Sequence, residues 1–542
     1  MRIKRFIRSV FGGSLVLSVI FLFIACPEPP EDKSPPDPPQ NYSINLEIIS
    51  ANTYTAQFRI SAGDTLVDWM YSLQKNGEEV HTALVFSTDT SITDSNLTAN
   101  TEYSYKAYMI DDGEKVDSSA SVTIHTLEES INLELISTFT TTALFRISIS
   151  DSTLNWSFNL NRDGNNVLTT HVYQKDSVII DGGLSPNTQY SYQAVWINED
   201  IAVDTSENVT AQTMDTTSHN FTWEIDTLGG YGSYLRDVAI IDENNIWVVG
   251  MIKIPDPDSS FNGTGWESFN AAHWDGVEWE LIKVLSGRTR NTGIQYFSEN
   301  DIWVTSGFPI HWDGIEWTLY HLQNMGLNVS VEHLWGTSSS NMYFAGLNGS
   351  IVHYDGSTFT EMESGTQINL LDVNGNGENV FATGYESSGT WGGHSIALAY
   401  EDGEWVTIKH DDRFTPTGVS DWGLISSVWA GEDEAYFMTY AGIKFYNYTT
   451  REASIKYTSW EMGTSTAHIS KIRGNDTNDI LLARRPGAFY HFNGMSWSVN
   501  FDIQNQYDVY IAGMDYQENI FVTVGWYHPS EQAIIVRGSR ND

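Results

Sequence analysis

The chain has 542 residues, too many for one hydrophobic core, and its 41% hydrophobic and 13% aromatic content excludes global disorder. Its 28 Lys and Arg against 69 Asp and Glu give a net charge of −41, which argues against nucleic acid as a partner because phosphate contacts need clustered basic side chains. Scarce Lys and plentiful Thr, Ser, Asn, Gly and Tyr predict an all-β protein, and the acidity fits solubility at a crowded surface.

The first element is a leader over residues 1–25. Arg2, Lys4, Arg5 and Arg8 form a positive start, and Gly12 to Ala25 an apolar run too short to span a bilayer comfortably. It ends in FIAC, where Cys26 is the only cysteine of the protein, with neither a disulfide partner nor metal-site companions. This resembles a bacterial lipoprotein signal, with Phe23 where Leu is commoner. The resemblance implies cleavage before Cys26 and its lipidation. The implied place is the cell envelope, at the outer membrane or cell surface, and Pro27 in place of Asp fits release from an inner membrane. An ordinary secretory signal is the alternative.

From Cys26 to Gln40 the chain is a linker. PEPPEDKSPPDPPQ has seven prolines and four acidic residues and cannot build a core. As polyproline II it would reach about 40 Å at about 3.1 Å per residue.

Two copies of one module follow, 41–127 and 128–217, aligned without a gap at an offset of 87. INLEIIS at Ile44 matches INLELIS at Ile131, and TAQFRIS at Thr55 matches TALFRIS at Thr142. Alternation at Phe58 and Ile60, and at Phe145 and Ile147, predicts half-buried strands, and Trp69 and Trp156 open the third strand. The segments LTANTEYSYKAY and LSPNTQYSYQAV resemble fibronectin type III domains, a resemblance that implies β-sandwiches with Leu97 and Leu184 in the core and Tyr103 and Tyr190 as tyrosine corners. A spacer role is expected of both. Met214 to Asn220 reads as a short polar hinge.

Residues 218–542 carry two alternating signatures. HWDGVEW at His273 returns as HWDGIEW at His311 and HYDGSTF at His353. An aromatic or large apolar residue entering a short strand recurs at Trp247, Trp303, Tyr343, Phe381, Tyr436, Leu481 and Phe521. Turn glycines at 276, 314, 356, 403 and 494 are spaced 38, 42, 47 and 91, so a degenerate copy belongs near Tyr448, and a further period lands near Gly538. The chain then ends without an outer strand. FTWEIDTL supplies it, with Trp223 standing as Trp279 and Trp317 do. The expectation is a β-propeller of seven four-stranded blades closed by an N-terminal strand, which removes the open sheet edge. The pattern resembles bacterial propeller repeats of the VWG, DVWAVG and HYDGSSW type, which are nearly silent on function. His and Trp of the signature are expected to pack between blades.

Propeller topology puts the short turns, such as DENN and DGVE, at one end and the B–C loops and blade-to-blade connections at the other. There the sequence has insertions. Phe261, Trp266 and Phe269 lie in the first blade, Tyr385, Trp391 and His394 in the fourth, Arg413 and Trp422 in the connection after it, Arg484 and Arg485 in the sixth, and Trp526, Tyr527 and His528 in the seventh. Aromatic faces stack on sugars or peptide side chains and Arg forks bind carboxylates, so the expected ligand residues are Trp266, Trp391, His394, Trp422, Arg484, Arg485, Trp526 and Tyr527. Loops that only pack on themselves are the competing reading.

The expected function is a non-catalytic, membrane-anchored binding protein for a glycan or an envelope protein. A scaffold in an envelope complex is one alternative. A propeller-type polysaccharide lyase or glycoside hydrolase using His394, His528 and Arg484 is the other, although GxSxG, HExxH, Walker and cysteine-nucleophile motifs are missing. No cofactor or metal is expected. Ca²⁺ at acidic turns such as DENN or NDTND is the weak exception, without EF-hand spacing.

Overall fold

The computed structural model describes residues 42–63, 68–128, 130–150, 156–198, 201–256, 265–285, 290–387, 393–411, 422–458, 469–485, 487–502 and 508–541. The leader, Cys26, the proline linker, Phe261, Trp391 and Arg413 lie outside them. The chain divides after residue 128 into two compact units.

The first unit is a two-sheet sandwich. Three strands, Ile44–Ala51, Thr55–Ala62 and Asp89–Ser95, form one sheet. The other is built on Trp69–Lys75 and Glu102–Asp111. Alternation along Thr55–Ala62 turns Ala56, Phe58 and Ile60 inward, so each strand buries one face only. Phe58 meets Tyr105 with ring centroids 4.4 Å apart, Leu97 is buried beside them, and Trp69 satisfies its indole N–H on the Ser87 carbonyl at 2.6 Å. Tyr103 accepts the Thr98 backbone N–H at 2.8 Å.

The second sandwich repeats these contacts 87 residues later. Phe145 meets Tyr192 at 4.5 Å, Trp156 donates to the Gln174 carbonyl at 2.7 Å, and Tyr190 accepts the Ser185 N–H at 2.9 Å. It belongs to the same compact unit as the rest of the chain. The segment expected as a hinge is instead fixed. Thr217 donates to the Asn478 carbonyl at 3.0 Å, Asn478 donates to the Asp215 carbonyl at 2.7 Å, and the Nδ1 atoms of His219 and His491 are 2.8 Å apart. Hydrogen bonds from a linker to buried or turn atoms of a sheet remove the freedom that its polar composition implies.

From Phe221 onward the described residues form seven four-stranded antiparallel sheets. Their first strands are Tyr234–Asp242, Gly293–Ser298, Val331–Ser338, Leu370–Asn376, Ile425–Ala430, Ile469–Asp476 and Asp508–Gln517. Each of these packs beside the next, and the last packs beside the first, so the sheets form a closed ring around a channel. This is a β-propeller. The seventh sheet takes Phe221–Leu228 as its outer strand, paired with Ala533–Arg540 from Phe221↔Arg540 to Leu228↔Ala533. Trp223 stands opposite Gly538 as Trp279 stands opposite Trp274 and Trp317 opposite Trp312. Gly538 is therefore not in a turn. It lies under the Trp223 ring, where an added Cβ would come within 2.9 Å.

The repeated signature builds the sheets. His273 and His353 bond through Nε2 to Asn245 and Asn341 on the neighbouring strand, and His311 and His491 to Asp301 and Asp479, each at 2.8 Å. Asp275 Oδ1 accepts the N–H groups of Val277 and Glu278, both at 2.8 Å, and Gly276 at φ 90° closes the turn. The degenerate copy is at Asn447, which accepts the N–H groups of Thr449 and Thr450 at 3.0 and 2.9 Å. In the seventh sheet the aromatic position shifts by one: Val522, not Phe521, stands where Trp247 stands, and Phe521 faces the sixth sheet instead.

Candidate functional site

Innermost propeller strands crowd, so their side chains meet at the channel. Register aligns Asp237, His333, Asp372, Ser427 and Lys471 at one level, and Gln295, Trp335, Asn374, Arg473 and Asp515 at the next toward the short turns. These polar groups stitch the ring. Asp237 accepts the Ile294 N–H at 3.0 Å, Asp515 the Ile240 N–H at 2.8 Å, and Asn374 the Ala430 N–H at 2.9 Å, each acceptor reaching from one sheet to the next. Asp372 accepts from Val428 N–H at 3.2 Å and from Arg473 through two nitrogens, both at 3.0 Å, and Lys471 lies at 3.4 Å. A cavity of about 210 Å³ opens at this level, bounded by Tyr296, Trp335, Arg473 and Gln517.

Burial governs the charges here. It pushes the Asp237 carboxyl up to about 6, against the opposing pull of Lys471 and Arg473, and it pushes Asp515 up as well. It drives His333 down to about 3, with Lys471 adding to the effect. Burial acts on Asp372 in the same sense, but Arg473 and Lys471 outweigh it and hold that carboxyl well below the usual carboxylate range. For Asp237 the folded value exceeds the unfolded one, so its stability contribution is full below about 4 and is lost as pH rises through about 6. Asp237→Asn keeps an oxygen acceptor for Ile294 and removes that loss. The variant is expected to gain about 1–3 kcal/mol at pH 8 and nothing at pH 4, read from urea melts at both values. Equal gains at both pH values would refute this assignment.

The other end of the channel carries the long connections, and the structure sorts the residues expected there. Arg485 and Trp526 come together, joined by two residues the sequence reading missed, Tyr510 and Arg236. The Arg485 guanidinium lies 3.3 Å from the Tyr510 ring centre, Tyr510 stacks on Trp526 at 5.1 Å and 6°, and the Arg236 guanidinium sits 5.3 Å from Trp526 and 4.9 Å from Tyr234. Asp508 holds Arg485 at 3.3 Å, with His528 at 3.8 Å from the same carboxylate. Tyr527 and Arg484 are buried rather than presented at the surface. Trp422 is also a correction: it is buried, packed on Phe437 at 5.5 Å in an apolar cluster that takes in its ring. Trp266 is half-buried and lies over Gly230, where an added Cβ would meet its ring at 2.7 Å. His394 is exposed on the fourth sheet, apart from the Arg485–Trp526 row, and Trp391 lies outside the described residues.

The missed residues left a signal. Charged side chains in otherwise apolar strands, Arg236 and Asp237 in YLRDVAII, Asp372 in LLDVNG, Lys471 and Arg473 in SKIRG, mark strands whose one face meets polar surroundings. The acidic turns are engaged internally: Asp242 accepts the Asn244 N–H at 2.8 Å and Asp476 the Thr477 N–H at 2.6 Å. Among the described residues no three His, Cys, Asp or Glu side chains gather as a metal site.

No protein family profile matches the chain, and no curated protein matches it. Solved structures do. YCF48 bound to D1 peptide is similar at 14% identity and a TM-score of 0.43, covering 60% of this chain and 97% of that one. YCF48 from Cyanidioschyzon merolae is similar at 13% identity and 0.40, covering 58% and 98%. The WD40 β-propeller domain of Doa1 is similar at 12% and 0.40, covering 60% and 98%. At these identities and scores the likenesses carry nothing about function.

Proposed function

We propose that the protein is a non-catalytic binding protein of the cell envelope, lipid-anchored at Cys26 at the outer membrane or cell surface. Its two fibronectin type III-like sandwiches serve as spacers, and a seven-bladed propeller, closed by Phe221–Leu228, presents a recognition face to a glycan or a protein. The observation that carries the reading is the division of labour between the two ends of the propeller. The second sandwich is fastened to the short-turn end at the sixth sheet, through Asp215, Thr217 and His219. The opposite end bears the long connections and the Arg485–Tyr510–Trp526–Arg236 row, residue types enriched where partners bind. The non-catalytic reading is supported by the channel carboxylates, whose oxygens are engaged in inter-sheet hydrogen bonds.

The test is crosslinked recovery of envelope material on the full chain. Arg485→Ala combined with Trp526→Ala is expected to lower recovery of specific partners by about tenfold or more, since two central contacts of this kind each contribute above about 1 kcal/mol. Both side chains sit at the surface end of the sheets, so the melting temperature should move by only a few degrees, roughly. Unchanged recovery would place recognition elsewhere.

A further inference from the structure

Each aromatic ring in the row at the long-connection end already has a neighbour: Arg485 and Trp526 contact Tyr510, and Tyr510 and Arg236 contact Trp526. The row holds Arg236. That residue is the bulge residue of the first innermost strand, where the register shifts between Leu235 and Asp237, and a bulge re-aims the side chain it carries. Its Nε–H is buried with no acceptor, and among the described residues no carboxylate pairs with its guanidinium. A half-buried guanidinium held against two rings at one end of a channel, with no carboxylate beside it among the described residues, specifies an anion that arrives from outside.

We propose that this end of the channel receives one carboxylate, the free C-terminus of a peptide chain, on the guanidinium of Arg236. The inference rests on the reading that this end of the propeller binds a partner. A single negative charge fits where a polyanion does not. The whole chain carries −41, and the short turns at the far end are acidic, with Asp242, Glu243, Glu299, Asp313, Asp402 and Asp433 among them. A polyuronate would meet repulsion along its length, whereas one terminal carboxylate meets only the local guanidinium. The innermost position of Arg236 favours a chain end over the middle of a chain, because only an end enters a channel mouth without doubling back.

The experiment uses the full chain in detergent. Hexapeptides of mixed sequence are immobilised by their N-termini, with free C-terminal carboxylates in one set and amidated termini in the other, beside a third set of uronate-containing disaccharides. The expected result is retention on the free acids at least about tenfold above the amides, the scale of one charge-assisted fork. Arg236→Gln is expected to fall to the amide level, and Arg236→Lys to lose most of the preference while keeping the charge and the fold, checked by an unchanged melt. Equal binding to free and amidated peptides overturns the proposal, as does a preference that survives Arg236→Gln, or binding confined to the uronate set. If Arg485→Ala with Trp526→Ala abolishes recovery of envelope partners while Arg236→Gln leaves it intact, this inference fails and the binding face stands.

Discussion

Asp372→Ala is expected to destabilise the propeller by about 3–5 kcal/mol, the cost of stranding a buried charge. The carboxylate is buried and sits at the meeting point of three sheets. It accepts from Ser427 and the Val428 N–H on the fifth sheet, and from Arg473 on the sixth, with Lys471 alongside. Its removal leaves Arg473 and Lys471 enclosed without the carboxylate they contact directly, Asp237 and Asp515 reaching Arg473 only through space, and an under-compensated ion in a low-dielectric channel costs more than the pair contributed. The pH dependence has a definite sign. The folded value lies below the unfolded value near 3.9, so the contribution of Asp372 is present above that unfolded value and is lost as pH falls toward the folded one. Urea melts of parent and variant should therefore differ most at neutral pH and converge toward strong acid. A constant difference across that range would show that Asp372 acts through packing alone.

Trp223→Ala is expected to cost about 3–5 kcal/mol as well, by a different route. The indole lies flat on Phe501 at 4.8 Å and 9°, stacks near Phe489 at 5.4 Å, and meets Phe521 edge-on at 5.7 Å. It therefore joins the outer strand of the seventh sheet to the sixth sheet. Its loss leaves a cavity over Gly538, which has no side chain to fill it, and loosens the strand that closes the ring. Hydrogen exchange should accelerate over 221–228 and 533–540 before the remaining sheets respond, because the ladder between those strands carries the closure. Uniform acceleration through all the sheets would mean that the ring opens elsewhere first.

The two variants mark the boundary between what was legible in the chain and what was not. Trp223 was legible. Its spacing from the end of the repeat, and its match to Trp279 and Trp317, follow from counting periods along one dimension. The tyrosine corners at Tyr103 and Tyr190 were legible for the same reason, since their partners at Thr98 and Ser185 lie five residues away. Asp372 and Arg473 are 101 residues apart, and nothing local to either one names the other.

Residues expected to bind divided along the same line. Arg485 and Trp526 project from the ends of their strands, where local pattern predicts exposure well. Trp422 failed because an aromatic residue in a connection is exposed only if the connection stays outside, and here an apolar cluster with Phe437 and Ile425 drew it in. Arg236 was overlooked because its place depends on a bulge, and a bulge is decided by pairing between strands rather than by the residues of one of them.

By itself the sequence determined the all-β composition, the duplicated modules at an offset of 87, the repeat that builds the sheets, and the strand that closes the last of them, because each is written as a local or periodic pattern of burial. Only the tertiary structure decided which charges share the channel, that the second sandwich is fixed to the propeller, and which guanidinium has no carboxylate partner among the described residues. Those facts depend on where strands far apart in the chain are brought side by side, and burial then sets the charge state of what meets there.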